Sequence, residues 1–263
     1  MPQDLKQHLS EIEARLWSKE KVFLCLDYDG TMTPIVQRPE DAQLHPDMRM
    51  LLQNAACCKR FQIAIVSGRA LSDLQHRVGM GQLDYVGNHG LEIAGPGLHY
   101  CPLVMEDLQK AIQRCKARLE STFLSIPGCQ IEDKKLTLSL HYRRVAPEHK
   151  NEFQARLKIF LNEIPDTLQV MDGHCVVDIR PNIHWHKGKA CLWLREARGL
   201  DDALTIYIGD DRTDEDAFQM LLDGITVKVG ASEVSAAHYF LADPNEVKWF
   251  LDWLVFHTAV KNM

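Results

Sequence analysis

The chain has 263 residues, 46% apolar and 25% charged, which is enough apolar material for one large or two smaller cores and too much for a disordered chain. Thirty lysines and arginines against 36 acids give a formal charge of −6 with the basic residues scattered, which argues against a nucleic-acid surface and for small-molecule chemistry. The stretch Met1–Leu16 has no apolar signal region and no run reaches the roughly eighteen apolar residues of a membrane span, so a cytoplasmic protein without a membrane partner is expected.

Leu5, Leu9, Ile12 and Leu16 recur at helical spacing and predict a helix before an apolar strand over 22–26. That strand runs into Asp27-Tyr28-Asp29-Gly30-Thr31, two carboxylates at a strand tip, where open α/β sheets place their chemistry. Asp-Gly is also the commonest hairpin turn, but Pro34 cannot donate to a returning strand. A helix over 46–57, opened by Pro46, precedes a second apolar strand over 61–66 that ends in Ser67-Gly68-Arg69. A helix over 70–78 then leads to a strand over 83–87 ending in Asn88-His89-Gly90.

From about 101 to 180 the pattern changes to a helix over 104–123, an interrupted strand over 129–143, a helix over 147–163 and a hairpin turning at Asp172-Gly173. A strand over 205–208 follows downstream and ends in Gly209-Asp210-Asp211; then come a helix near 213–222, a strand over 225–229 and an aromatic helix over 246–254 that should pack on the core. The expected fold is α/β, a doubly wound parallel sheet from 1–100 and 181–263 with an α+β cap inserted over 101–180. The eight cysteines include no CxxC pair and sit mostly in apolar patterns, so they read as reduced core residues. His184 and His186 form an HxH pair with no third ligand spaced for zinc.

Asp27-Tyr28-Asp29-Gly30-Thr31, Ser67-Gly68-Arg69, Lys187-Gly188 and Gly209-Asp210-Asp211-Arg212-Thr213-Asp214-Glu215-Asp216-Ala217-Phe218 resemble, in this order, the four motifs of the haloacid dehalogenase phosphatases. The last motif, with Gly87-Asn88-His89-Gly90-Leu91-Glu92, is similar to the trehalose-6-phosphate phosphatase branch in particular. The resemblance implies a Mg²⁺-dependent hydrolase that releases trehalose and phosphate, working as a monomer, with a trehalose-6-phosphate synthase as the candidate protein partner. A phosphatase for another glycosyl phosphate, such as glucosylglycerol phosphate, a phosphosugar mutase and a non-catalytic sugar-phosphate sensor or synthase subunit are the alternatives.

On this reading Mg²⁺ screens the charge of a phosphomonoester and is held by Asp27, the main-chain carbonyl of Asp29 and Asp210, with Asp211 or Asp214 in support; the full metal set is Asp27, Asp29, Asp210 and Asp214. Asp27 attacks phosphorus and Asp29 serves as acid, then base. Ser67 and Lys187 complete the catalytic set by holding the phosphoryl oxygens. Substrate contacts are expected from Gly68, Arg69, Asn88 and His89 in the core and from Glu132, Lys134, His141, Arg143 and Asp178 in the cap; alternation places Glu132 and Lys134 on one strand face. Asp178 stands before Ile179-Arg180-Pro181 where the family usually carries Glu, so its carboxylate is set back by about 1.5 Å. His186 replaces the amide or acid expected before Lys187.

Overall fold

The computed structural model describes residues 1–101, 106–173, 175–230 and 234–259. In chain order these contain β1 (Gln3–Asp4), α1 (Leu9–Trp17), β2 (Val22–Asp27), α2 (Pro46–Cys57), β3 (Phe61–Val66), α3 (Leu71–Val78), β4 (Asp84–Gly87), β5 (Glu92–Gly95) and β6 (Leu98–Tyr100). After them come α4 (Glu106–Phe123), β7 (Gln130–Asp133), β8 (Leu138–His141), α5 (Lys150–Asn162), β9 (Leu168–Gly173) and β10 (Val176–Pro181). The chain closes with α6 (Lys187–Ala197), β11 (Leu204–Gly209), α7 (Glu215–Met220), β12 (Ile225–Val229), β13 (Tyr239–Leu241) and α8 (Pro244–Ala259). The first residues of the helix expected over 104–123 lie outside the described residues.

The chain divides into two compact units, Met1–Tyr100 with Trp185–Met263, and Cys101–His184. Among the described residues of the first, nine strands form one sheet in the order β1-β13-β12-β11-β2-β3-β4-β5-β6. All pairs are parallel as far as β4, whereas β4–β5 and β5–β6 are antiparallel, so the sheet is mixed and carries a hairpin edge that the sequence patterns did not show.

Strand alternation explains how the sheet's two faces differ. Val22, Leu24 and Leu26 join Ile63, Ile65, Ile206 and Ile208 in the apolar layer packed by α1, α2, α3 and α8. Phe23 and Cys25 point the other way and join Ala64, Val66 and Tyr207 under α6 and α7. Asp27 continues the second series by parity, so the strand presents its terminal carboxylate on the side covered by α6 and α7. A fully buried β2, apolar on both faces, is what a central parallel strand requires.

In the second unit the order is β7-β8-β10-β9, antiparallel throughout, with α4 and α5 contributing to its apolar cluster. Leu138, Leu140, Val177 and Ile179 face that cluster, so their alternates Ser139, His141, Asp178 and Arg180 occupy the opposite face. Register aligns Glu132, Ser139 and Asp178 across β7, β8 and β10.

Two local expectations need correction. Gly173 pairs with Val176 and Asp172 with Val177, so both residues belong to β9 and the hairpin turn lies beyond them, at a point where Cys175 takes a φ of 63°. The cysteines are free thiols, but only Cys25, Cys115 and Cys191 are buried, while Cys57 and Cys101 are exposed. Helical and loop positions expose one side of an apolar stretch, and a small thiol tolerates that side. The aromatic helix α8 buries Val247, Phe250, Leu251 and Leu254 and exposes Trp249 and Phe256.

Candidate active site

Strand β2 ends at Asp27, and the chain then turns tightly: the Gly30 N–H donates to the Thr33 carbonyl at 2.8 Å and the Met32 N–H to the Tyr28 carbonyl at 3.0 Å. Gly30 has a φ of +78° and lies so close to Asp210 that a Cβ would stand 2.0 Å from its Oδ2. Only glycine fits there, on both counts. The Thr31 hydroxyl donates to Asp210 Oδ1 at 3.3 Å, joining the β2 loop to the tip of β11.

Lys187 opens α6 and is buried, with Nζ 2.8 Å from Asp27 Oδ1 and 2.8 Å from Asp214 Oδ1. Asp214 is wholly buried and its oxygens are in use, since Oδ1 also accepts from the Tyr207 hydroxyl at 2.7 Å and Oδ2 accepts the Asp211 N–H at 2.9 Å. The Lys228 ammonium donates to the Asp210 main-chain carbonyl. Oxygens of Asp27, Asp210 and Asp214 all lie within 4.8 Å of one another. Three carboxylates around one ammonium leave an excess of negative charge in a place with little water. Burial drives the Asp27 carboxyl well above its ordinary range, against the pull of Lys187, and raises Asp210 to about 7, with Asp214 and Asp211 adding to the rise. Burial opposes the Lys187 charge as well, yet Asp214 and Asp27 more than offset it and hold its proton above the lysine range. An oxygen-only donor set short of positive charge is a fit for a hard divalent cation. Asp27 and Asp210 have the freer oxygens; Asp214 is committed to Lys187, Tyr207 and the Asp211 amide, which makes it a support of Lys187.

The neighbouring strand tips are tied together. The Ser67 N–H donates to the Val86 carbonyl, the Asn88 N–H to the Arg69 carbonyl and the His89 N–H to the Ser67 carbonyl, at 2.8, 2.7 and 3.1 Å. Asn88 and His89 both hold positive φ, 48° and 56°, a conformation costly for residues with a Cβ. Gly68 lets the His89 ring lie against the backbone, since a Cβ would come 2.3 Å from its Cε1. The Asn88 amide donates to Glu92. Arg69 reaches away from this group to Asp29, with Nε on Oδ2 and Nη2 on Oδ1, each at 2.6 Å. The carboxylate of Asp29 therefore lies on Arg69 and outside the Asp27–Asp210–Asp214 cluster.

In the second unit the aligned face gathers Glu132, Lys134, His141 and Asp178. His141 Nε2 is 2.9 Å from Glu132 Oε2, and Lys134 Nζ is 3.7 Å from Asp178 and 4.0 Å from Glu132. Lys134 follows the end of β7, so the turn as well as the strand alternation brings it to Glu132. The Ser139 hydroxyl donates to Asp178. Arg143 lies partly buried after β8.

The trehalose-phosphatase family profile matches residues 25–245. The chain belongs to the trehalose-phosphatase family. It is 38% identical over 257 residues to the probable trehalose-phosphate phosphatase 4 of Oryza sativa subsp. japonica, which covers 93% of this chain and 68% of that relative. Its fold matches the C-terminal domain of C. albicans trehalose-6-phosphate phosphatase with a TM-score of 0.84 at 23% identity, covering 97% of this chain and 98% of that one. The C-terminal domain of the Candida albicans trehalose synthase regulatory protein matches with a TM-score of 0.71 at 13% identity over 92% of this chain and 97% of that one. One fold therefore serves proteins named as phosphatase and as regulator, and function has to be argued from the site.

Two further residues support the carboxylate cluster of the first unit, and a third supports the polar face of the second. Tyr207 stands between Ile206 and Ile208 in a fully buried strand and passes for core, although alternation turns it to the opposite face, beside Asp214. Lys228 is a lysine flanked by Val227 and Val229 in a buried strand, a legible signal because lysine is rarely buried without a partner. Ser139 alternates with Leu138 and Leu140, which marks a polar face but does not name Asp178 across it.

Proposed function

We propose that this member of the trehalose-phosphatase family hydrolyses trehalose 6-phosphate to trehalose and phosphate, with Asp27 as nucleophile. The observation that carries the reading is the meeting of buried Asp27, Lys187 and Asp214 with half-buried Asp210. A structural ion pair needs one acid and one base; the surplus of carboxylates is costly unless a cation and a phosphate are to be bound. Asp27, Asp210 and the Asp29 main-chain carbonyl would hold Mg²⁺, which would supply charge neutralisation for the bound phosphate dianion.

In the first step an Asp27 oxygen bonds to phosphorus as the bond to the sugar oxygen breaks, and that oxygen takes the departing electron pair and a proton from Asp29. In the second, Asp29 takes a proton from water while the water oxygen bonds to phosphorus, releasing phosphate and restoring Asp27. Lys187, held between Asp27 and Asp214, keeps the nucleophile oriented and offers a compact positive charge to the phosphoryl oxygens. Ser67 sits at the tip of β3, its hydroxyl oxygen accepting the Arg69 N–H at 3.1 Å, and its own O–H is assigned to a phosphoryl oxygen. The polar row Glu132, Lys134, His141 and Asp178 is assigned to recognition of sugar hydroxyls.

Phosphate release from trehalose 6-phosphate, glucose 6-phosphate, sucrose 6-phosphate and glucosylglycerol phosphate, with and without Mg²⁺, tests this function. Trehalose 6-phosphate is expected to lead by orders of magnitude. If another ester leads, the assignment of the polar row fails; if no ester turns over with Mg²⁺ present, the enzymatic reading fails and a regulatory role replaces it.

A further inference from the structure

Arg69 belongs to a motif that suggests a substrate contact, but its side chain is almost fully engaged by the protein. Nε and Nη2 fork onto the two oxygens of Asp29 at 2.6 Å each, Nη1 donates to Asp73 at 2.9 Å, and Nη2 donates again to the Pro39 carbonyl at 2.7 Å. A guanidinium has five N–H groups, and four are used here. Asp73 is fixed in turn by Arg77 Nε at 2.8 Å, and the Arg69 guanidinium carbon stands 5.3 Å from the centre of the Tyr28 ring. The Arg69 side chain is 7% exposed and that of Asp29 40%, so the pair has a rigid inner half and an accessible outer half.

We propose that Arg69 is the positioning residue for Asp29 and makes no contact with the sugar. This rests on the acid and base roles given to Asp29 above. A short carboxylate two residues past a strand tip can take several rotamers; the bidentate fork selects one, and the anchors at Asp73 and Pro39 keep the fork from following Asp29. In the second step, one Asp29 oxygen stays on Arg69 while the other accepts the proton of water. In the first step, the oxygen that carries the proton is released from the fork and gives that proton to the leaving oxygen as its bond to phosphorus breaks. A pair made only for stability would be replaceable without any change in how the rate depends on the leaving group.

The test uses kcat/KM, which reports the step up to departure of the leaving group, for p-nitrophenyl phosphate and for phenyl phosphate. Neither carries a sugar, so a lost sugar contact cannot alter their ratio, whereas a misplaced acid slows the poorer leaving group selectively. Asp29→Asn is expected to lower phenyl phosphate turnover about 100-fold more than p-nitrophenyl phosphate turnover, in line with the lower end of general-acid effects. Arg69→Met is expected to lower that ratio in the same direction by at least about 10-fold, and Arg69→Lys, which keeps the charge without the fork, by an intermediate amount. The Arg69→Lys arm decides the matter if Arg69→Met does not fold. A wild-type ratio in folded Arg69 variants, with the ratio lost in Asp29→Asn, overturns the inference and leaves the acid assignment standing. A wild-type ratio in Asp29→Asn overturns both.

Discussion

Asp210→Asn should make the metal-free protein more stable at the same time as it removes metal binding. Burial, with Asp214 and Asp211 nearby, raises the Asp210 carboxyl from 3.8 to about 7. An acid raised on folding holds its proton more tightly in the native state, so stability is undiminished below pH 4, falls as pH rises between about 4 and 7, and is lower by the full amount above that. At roughly 1.4 kcal/mol per pH unit, the loss above pH 7 is on the order of 4 kcal/mol. Asparagine has nearly the same shape, keeps an oxygen for the Thr31 hydroxyl, and carries no charge to desolvate. In EDTA at pH 8 the variant is therefore expected to melt on the order of 10 °C above the wild type, as about 1 kcal/mol moves Tm by roughly 2–4 °C in a chain of similar size. The gap should close as pH is lowered toward 5. Adding Mg²⁺ at pH 8 should raise the wild-type Tm and leave the variant's unchanged. A metal-free variant that melts below the wild type at pH 8 would refute the argument that this cluster is short of positive charge.

Asp27→Asn is expected to abolish phosphate release while far-UV and near-UV circular dichroism stay native, and full activity would remove the nucleophile assignment. Tyr207→Phe deletes one donor to a wholly buried carboxylate, at a cost of about 1–3 kcal/mol in chemical denaturation, and should lower kcat about tenfold by loosening Asp214 and hence Lys187. Gly30→Ala forces a Cβ toward Asp210 and a positive φ on alanine; loss of the Mg²⁺-induced rise in Tm is the expected outcome, and an undiminished rise would show that the loop can yield. Asp178→Glu restores the side-chain length usual in the family, so kcat/KM for trehalose 6-phosphate is expected to rise, and an unchanged or lower value would end the view of Asp178 as a change in specificity.

The order of strands and helices around β2, β3, β11 and β12 follows from local patterns. Val22–Leu26 and Ile63–Val66 are continuous apolar runs, and only a strand with both faces covered can use them. The acids of Asp27-Tyr28-Asp29 and Gly209-Asp210-Asp211 likewise announce chemistry by standing at the ends of such runs. Parity along β2 even determines which side of the sheet Asp27 faces. Other features depend on which distant segments come to lie together, and no local period encodes that. The partners of Lys187 are 160 and 27 residues away in the chain, and those of Arg69 include an acid 40 residues earlier and a carbonyl 30 residues earlier. Tyr207 is indistinguishable from its apolar neighbours until the turn that carries Asp214 is packed against it. The hairpin between β9 and β10 closes beyond Asp172-Gly173 because pairing across the whole of both strands, and not the turn preference of two residues, sets its register. The sequence by itself determined the chemical groups, their order and the faces they start from; the tertiary structure decided their partners, because charge, burial and hydrogen-bond geometry exist only between side chains that folding has brought together.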